Sequence, residues 1–202
     1  MNLSEALLAK AINIGRIGQY QEAIDAYDAL LSMFMGDDEP EHQLPIAQAY
    51  FNKATIFGEL GYYEEEIASY DTLISLFKRD NNTAVQQQVA QGFFNKAIAL
   101  LQQQKNEQAL AAFSQLSTLF QNNSDAEIQT VVVQATINQT ILLTQLERTA
   151  EALVVADKLI TQFKASTIEP IQVLLIEFTA SFIEFSLLSE TKVQTLKRIE
   201  TV

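Results

Sequence analysis

The chain has no cysteine and no tryptophan, one histidine, three prolines and six glycines in 202 residues. Without cysteine there is no disulfide, no thiolate nucleophile and no cysteine-bound metal. A lone His42 cannot make a clustered imidazole site. It aligns with Val85, Ile128 and Ile171 in the repeat described below, so it is expected as a partly buried, hydrogen-bonded packing residue. Strand signals are missing: no alternating run is bounded by turn residues. Basic residues are scarce, 13 Lys and Arg against 25 Asp and Glu, for a net charge of −12. The imbalance is local, with 3 basic and 13 acidic side chains in residues 1–77 but 10 and 12 in residues 78–202. That argues against a nucleic-acid binder, which needs a basic face. It suits a basic partner near the N-terminal half, the plain alternative being a solvated acidic surface. Long apolar runs are also lacking. The greasiest stretch, 171–188, is broken by Glu177 and Glu184, which is too interrupted for a membrane span. Glu5 and Lys10 break the apolar start where a signal peptide needs an unbroken core. The expected location is cytoplasmic.

What is present is a repeat. AYFNKATIFGELGYYEEEIASYDTLISLF, at 49–77, returns 43 residues later as GFFNKAIALLQQQKNEQALAAFSQLSTLF. The same register finds related segments at 6–34 and 135–163. Phe34, Phe77, Phe120 and Phe163 fall in step, as do Leu30, Leu73, Leu116 and Leu159, and Ile24, Ile67, Leu110 and Leu153. A fixed period of this size marks a stacked-repeat architecture. Ala, Leu, Gln and Glu dominate, all good helix formers, so each period is expected to be two helices. In the second, Asp37, Asp38 and Glu39 read as a capping cluster before Pro40. A helix runs from about Glu39 to Leu60, Gly61 ends it, and a second helix runs from about Tyr63 to Phe77. Glu64, Glu65 and Glu66 suit the positive end of that helix dipole.

One face of each first helix is apolar: Ile46, Tyr50, Ala54 and Phe57; then Val89, Phe93, Ala97 and Leu100; then Val132, Thr136, Thr140 and Leu143. Such a hairpin buries its face only by stacking on neighbours. The expected repeats are 3–36, 37–79, 80–122, 123–165 and a partial 166–202, within a single domain over 1–202.

These residues resemble the tetratricopeptide repeat family, whose units are helix–turn–helix repeats of about 34 residues. Tyr50, Ala54, Gly61, Tyr63 and Tyr70 match its pattern in the second repeat, as do Ala11, Gly18, Tyr20, Ala23 and Tyr27 in the first and Phe93, Ala97, Ala109 and Phe113 in the third. The closing proline is absent, Glu66 stands where the family has alanine, and the surplus length extends the first helix at its N-terminal end. The resemblance implies an all-α, right-handed α-solenoid of stacked antiparallel helix hairpins, and a scaffold that binds other proteins.

Opposite the core stripe, the first helices carry Gln48, Asn52, Thr55 and Glu59; Gln91, Asn95, Ile98 and Gln102; and Gln134, Asn138, Ile141 and Gln145. The first repeat has Glu5, Ala9, Ile12 and Arg16 there. Asparagine is a mediocre helix-interior residue, so three in phase, each four residues after a glutamine, need a reason. An amide offers donor and acceptor together and pairs with an extended backbone. The resemblance gives Asn52, Asn95 and Asn138 the role of peptide-holding asparagines on a concave face. The competing reading has these amides bond a neighbouring helix or face water. Lys10, Lys53 and Lys96 recur at the edge of that face and read as solvated flank lysines, the alternative being contact with a ligand carboxylate.

No nucleophile–base pair or metal set is legible, so neither an enzyme nor a cofactor is expected. Gly15 and Gly18, like Gly58 and Gly61, lie at a helix end with no preceding strand, and read as turn glycines rather than a phosphate loop. Phe178, Phe182 and Phe185 make the C-terminal helix unusually apolar, which points to packing under residues 192–202 or to self-association as a homodimer. The expected function is a scaffold holding an extended segment of a partner in a concave groove. The alternatives are a structural protein that dimerises through the aromatic helix and a sensory domain that binds a small signalling peptide or metabolite.

Overall fold

A computed structural model describes residues 2–34, 36 and 39–182. Its helices are α1 (Leu3–Arg16), α2 (Tyr20–Phe34), α3 (Pro40–Glu59), α4 (Tyr63–Phe77), α5 (Thr83–Gln102), α6 (Asn106–Leu119), α7 (Ala126–Gln145) and α8 (Thr149–Phe163). A further helix, α9, covers 169–182. There is no strand among the described residues. First helices α3, α5 and α7 have 20 residues, about 30 Å of rise, while α4, α6 and α8 have 14 or 15.

Side chains start these helices. Asn2 and Glu5 form a reciprocal capping box. Asn82 Oδ1 accepts from the amides of Ala84 and Val85, and Asp125 Oδ1 from those of Glu127 and Ile128. At α3 the expected acidic cap is not made by Glu39, which has no side-chain cap bond. Pro40 at the first position carries the start instead, since its missing N–H needs no partner there. Asp37 and Asp38 lie outside the described residues.

The ends follow one device. Gly18, Gly61, Gln104 and Glu147 occupy the same place in their repeats, and all have a positive φ, of 80°, 77°, 58° and 59°. The glycine partners are not turn residues: Gly15 lies inside α1 and Gly58 inside α3. Gly58 permits close approach, for a Cβ there would lie 2.8–2.9 Å from the Glu66 carboxyl group.

Contacts divide the chain into two compact units, 1–135 and 136–202. In the first, each helix packs on its hairpin partner, and α4 also packs on α5. First helices adjoin as well, α3 touching both α1 and α5, so they form a layer of their own. The repeating positions make the core: Leu30, Leu73 and Leu116, Tyr27, Tyr70 and Phe113, and the small Ala11, Ala54 and Ala97 are buried. Fully burying one such Leu or Phe stabilises by about 1.5–3 kcal/mol. His42 is a packing residue, its ring 4.5 Å from that of Phe34 and its Nε2 3.4 Å from Glu41.

In the second unit Leu142, Leu143, Ala156, Leu159, Phe163, Ile171 and Phe178 are buried. Leu153 departs from its register. It is 47% exposed, whereas Ile24 and Leu110 are 5% and 6%. The residues that follow in register at that level, 192–202, lie outside the described residues.

Candidate protein-binding groove

The four second-repeat residues come together. Gln48, Asn52, Thr55 and Glu59 on α3 line one cavity of about 590 Å³, with Arg16, Tyr20 and Tyr27 from the first repeat and Gln88 from α5. Helical spacing puts the α3 residues on one face, and the contacts of α3 with α1 and α5 bring their side chains to it. Beside the apolar Ile12, Phe51 and Ile56, it presents amides, a hydroxyl, two phenols, one guanidinium and one carboxylate. No group of three or more His, Cys, Asp or Glu able to hold a metal occurs among the described residues.

The tyrosines are what sequence reasoning missed. It placed Tyr20 and Tyr27 only as matches to the family's repeat pattern. The Tyr20 hydroxyl donates to Glu59, which together with that carboxylate's charge raises its pKa. Burial raises Tyr27, and its hydrogen bond with Asn52 works against the rise. The same arrangement recurs one repeat on. Asn95 Nδ2 donates to the Tyr70 hydroxyl at 3.2 Å, and Gln91 Nε2 donates to Asn95 Oδ1 at 3.0 Å. Burial raises Tyr70, with Thr55 and Asn95 as hydrogen-bond partners opposing. So Asn52 and Asn95 are tied to the helix behind them, as the competing reading had it. Asn95 still keeps one N–H and one acceptor position beyond these bonds. The signal was available in the register, since Tyr27 and Asn52 stand the same 25 residues apart as Tyr70 and Asn95. The third repeat has Phe113 in the tyrosine position, with no hydroxyl to offer.

Lys53 and Lys96 are not solvated flank residues. Each is ion-paired with the aspartate that follows the tyrosine, Asp28 and Asp71, and Lys53 also lies 5.4 Å from the Phe57 ring centroid. Tyr–Asp on one second helix thus meets Asn–Lys on the next first helix, twice.

The remaining candidates are scattered. Gln91, Asn95 and Ile98 are half-buried on α5, Gln102 is exposed at its end, and Gln134 is half-buried on α7. In the second unit Ile141 and Gln145 line a mostly apolar cavity of about 350 Å³ with Ile137, Leu174, Phe178 and Phe182, while Asn138 is half-buried outside it. Phe178 is buried and stacks on Phe182 at 5.3 Å. Phe185 lies outside the described residues. No helix among the described residues is long and apolar enough to cross a membrane.

Comparison with known proteins bears on the fold. The tetratricopeptide repeat model matches residues 47–80, which run from α3 through α4. No curated protein matches the chain. Among solved structures, BtubC (BKLC) from P. vanneervenii is similar at 18% identity and a TM-score of 0.59, over 81% of this chain and 64% of that one. The apo form of RapI is similar at 15% and 0.61, over 90% of this chain and 49% of that one. A putative kinesin light chain from Podosopora anserina, described as having nearly identical TPR-like repeats, is similar at 13% and 0.60, over 96% and 94%. This chain therefore spans about two thirds of the BtubC chain and half of RapI. What these structures share with the chain is its fold. The chain thus carries a tetratricopeptide repeat at 47–80, within a helical-repeat fold that these structures share.

Proposed function

We propose that the groove of the first unit holds an extended segment of a partner protein. The observation that carries this reading is the gathering of Gln48, Asn52, Thr55 and Glu59 into one cavity, with two of the groove amides already oriented by tyrosines. An oriented amide loses less side-chain entropy when a peptide arrives, and its remaining donor and acceptor match a backbone whatever the sequence. Glu59, together with the acidic excess of residues 1–77, favours a segment carrying Lys or Arg. In the second unit Ile141 and Gln145 offer a partner an apolar surface of their own.

Alanine at Asn52 or Asn95 is a poor test, because it also removes a bond to tyrosine. Thr55 is exposed and its contact with the Tyr70 hydroxyl is long, 3.5 Å, so Thr55→Arg blocks the groove from its solvent side, and Tyr70→Phe run beside it shows what losing that contact alone does. Capture from a lysate of the source organism compares wild type, Thr55→Arg and a control, Val154→Arg, at a position 70% exposed on α8. A partner kept by wild type and control but lost by Thr55→Arg supports the groove. Equal capture by all three removes it.

Self-association has its own observation, and it is not Phe178. Val173 and Ile176 on α9 are exposed, Ile176 at 69%. If that surface pairs two copies, the sedimentation mass rises with concentration and Ile176→Glu abolishes the rise. A constant monomer mass removes this reading.

A further inference from the structure

Glu66 occupies the place that Ala23, Ala109 and Ala152 hold in the other repeats, and those alanines are fully buried. It is buried too, 8% exposed, and its Oε2 has no hydrogen-bond partner. The carboxyl group fits because α3 has Gly58 opposite: a Cβ there would sit 2.8 Å from Cδ and 2.9 Å from each oxygen. This hairpin has therefore made a space for a carboxyl group without supplying a cation for it.

The charged groups around it are engaged elsewhere. α4 packs against α3 and α5. On α3, Lys53 is paired with Asp28, Glu41 lies against His42, and Glu59 accepts from Tyr20. On α5, Lys96 is paired with Asp71 of α4. On α4 itself, Glu64 meets Lys105 at 3.7 Å and Glu65 is exposed. Tyr70, one turn along, is raised by burial and, to a lesser degree, by Glu66. Burial is also what raises the Glu66 carboxyl above its ordinary 4.5.

We propose that Glu66 enters the second hairpin as the neutral acid and that loss of its proton loosens α3 against α4, making this hairpin a proton-responsive element. A buried neutral carboxyl group costs far less than a buried unpaired carboxylate. The sign follows from linkage. The folded state holds the proton more tightly than the unfolded chain. The hairpin is therefore most stable at and below the ordinary glutamate range, and it loses stability as pH rises through the raised value. The last turn of α3, beside Gly58, carries Glu59, so loosening there displaces the groove's carboxylate.

The test compares thermal unfolding of wild type, Glu66→Gln and the exposed control Glu65→Gln between pH 5 and 8.5 at constant ionic strength. The Glu66→Gln midpoint is expected to pull ahead of wild type as pH rises, by about 2–4 °C across the range, while the Glu65→Gln difference stays flat. A carbon-13 titration of the wild-type glutamate carboxyl carbons reads the same event without any variant, and Glu66 is expected to titrate after the exposed glutamates. A Glu66 carboxyl that titrates with the others, or a Glu66→Gln offset independent of pH, overturns the proposal.

Discussion

Gln104 and Glu147 hold the left-handed backbone that glycine holds in the first two repeats. A Cβ makes that conformation unfavourable by about 1–2 kcal/mol, and glycine escapes the penalty. Gln104→Gly and Glu147→Gly are therefore each expected to stabilise, by about 0.5–1 kcal/mol after the entropy of the freer unfolded chain is subtracted. Denaturant midpoints at unchanged slope measure it, and a loss of stability in both would show that another contact holds these turns. Gly58 tests the opposite need. Its φ is ordinary, but Gly58→Ala drives a methyl group into the Glu66 carboxyl group, with an expected cost of about 1–3 kcal/mol. With Glu66→Ala beside it the same change is expected to stabilise, since alanine is the better helix former by about 1 kcal/mol. A double-mutant cycle without coupling would show that the two residues do not share that space.

Between elements, the paired bonds from α2 to α3 and from α4 to α5 set how hairpins stack. Tyr70→Phe removes the hydroxyl that Asn95 and Thr55 share and is expected to cost about 0.5–1.5 kcal/mol. Lys96→Ala, at a partly exposed ion pair, is expected to cost less than about 1 kcal/mol. Equal costs would mean that the amide–phenol bond does not dominate the junction. The helices were legible because apolar residues at 46, 50, 54 and 57 repeat at 89, 93, 97 and 100, and α4 falls on Tyr63–Phe77 as read. Gly58 was misread because a glycine three residues before a turn lies inside the last helical turn. In the sequence Glu66 reads as a first-turn acid that suits the helix dipole. Its burial depends on Gly58 across the hairpin, which no local pattern reveals. The asparagines were placed on the right helices, but their tyrosine partners sit on a different helix of the preceding repeat.

For the whole molecule, a net charge of −12 sets a long-range field whose reach shrinks with salt. If the partner segment is basic, its affinity is expected to fall about tenfold or more between 50 and 500 mM salt, mostly through the association rate. Titration calorimetry with the captured partner checks this, and a salt-independent affinity would remove the basic-segment reading. The tyrosine–asparagine match has a consequence for the gene as well as for the fold. Because Tyr27 and Asn52 are separated by the same 25 residues as Tyr70 and Asn95, and the period is 43, excising residues 37–79 puts Tyr27 and Asp28 where Tyr70 and Asp71 stood, facing Asn95 and Lys96. The shortened chain meets a seam it already knows how to close. Duplication of the same segment adds one more such joint, Tyr70 and Asp71 of one copy facing Asn52 and Lys53 of the next, so the array can gain or lose this unit in a single step without inventing a new joint.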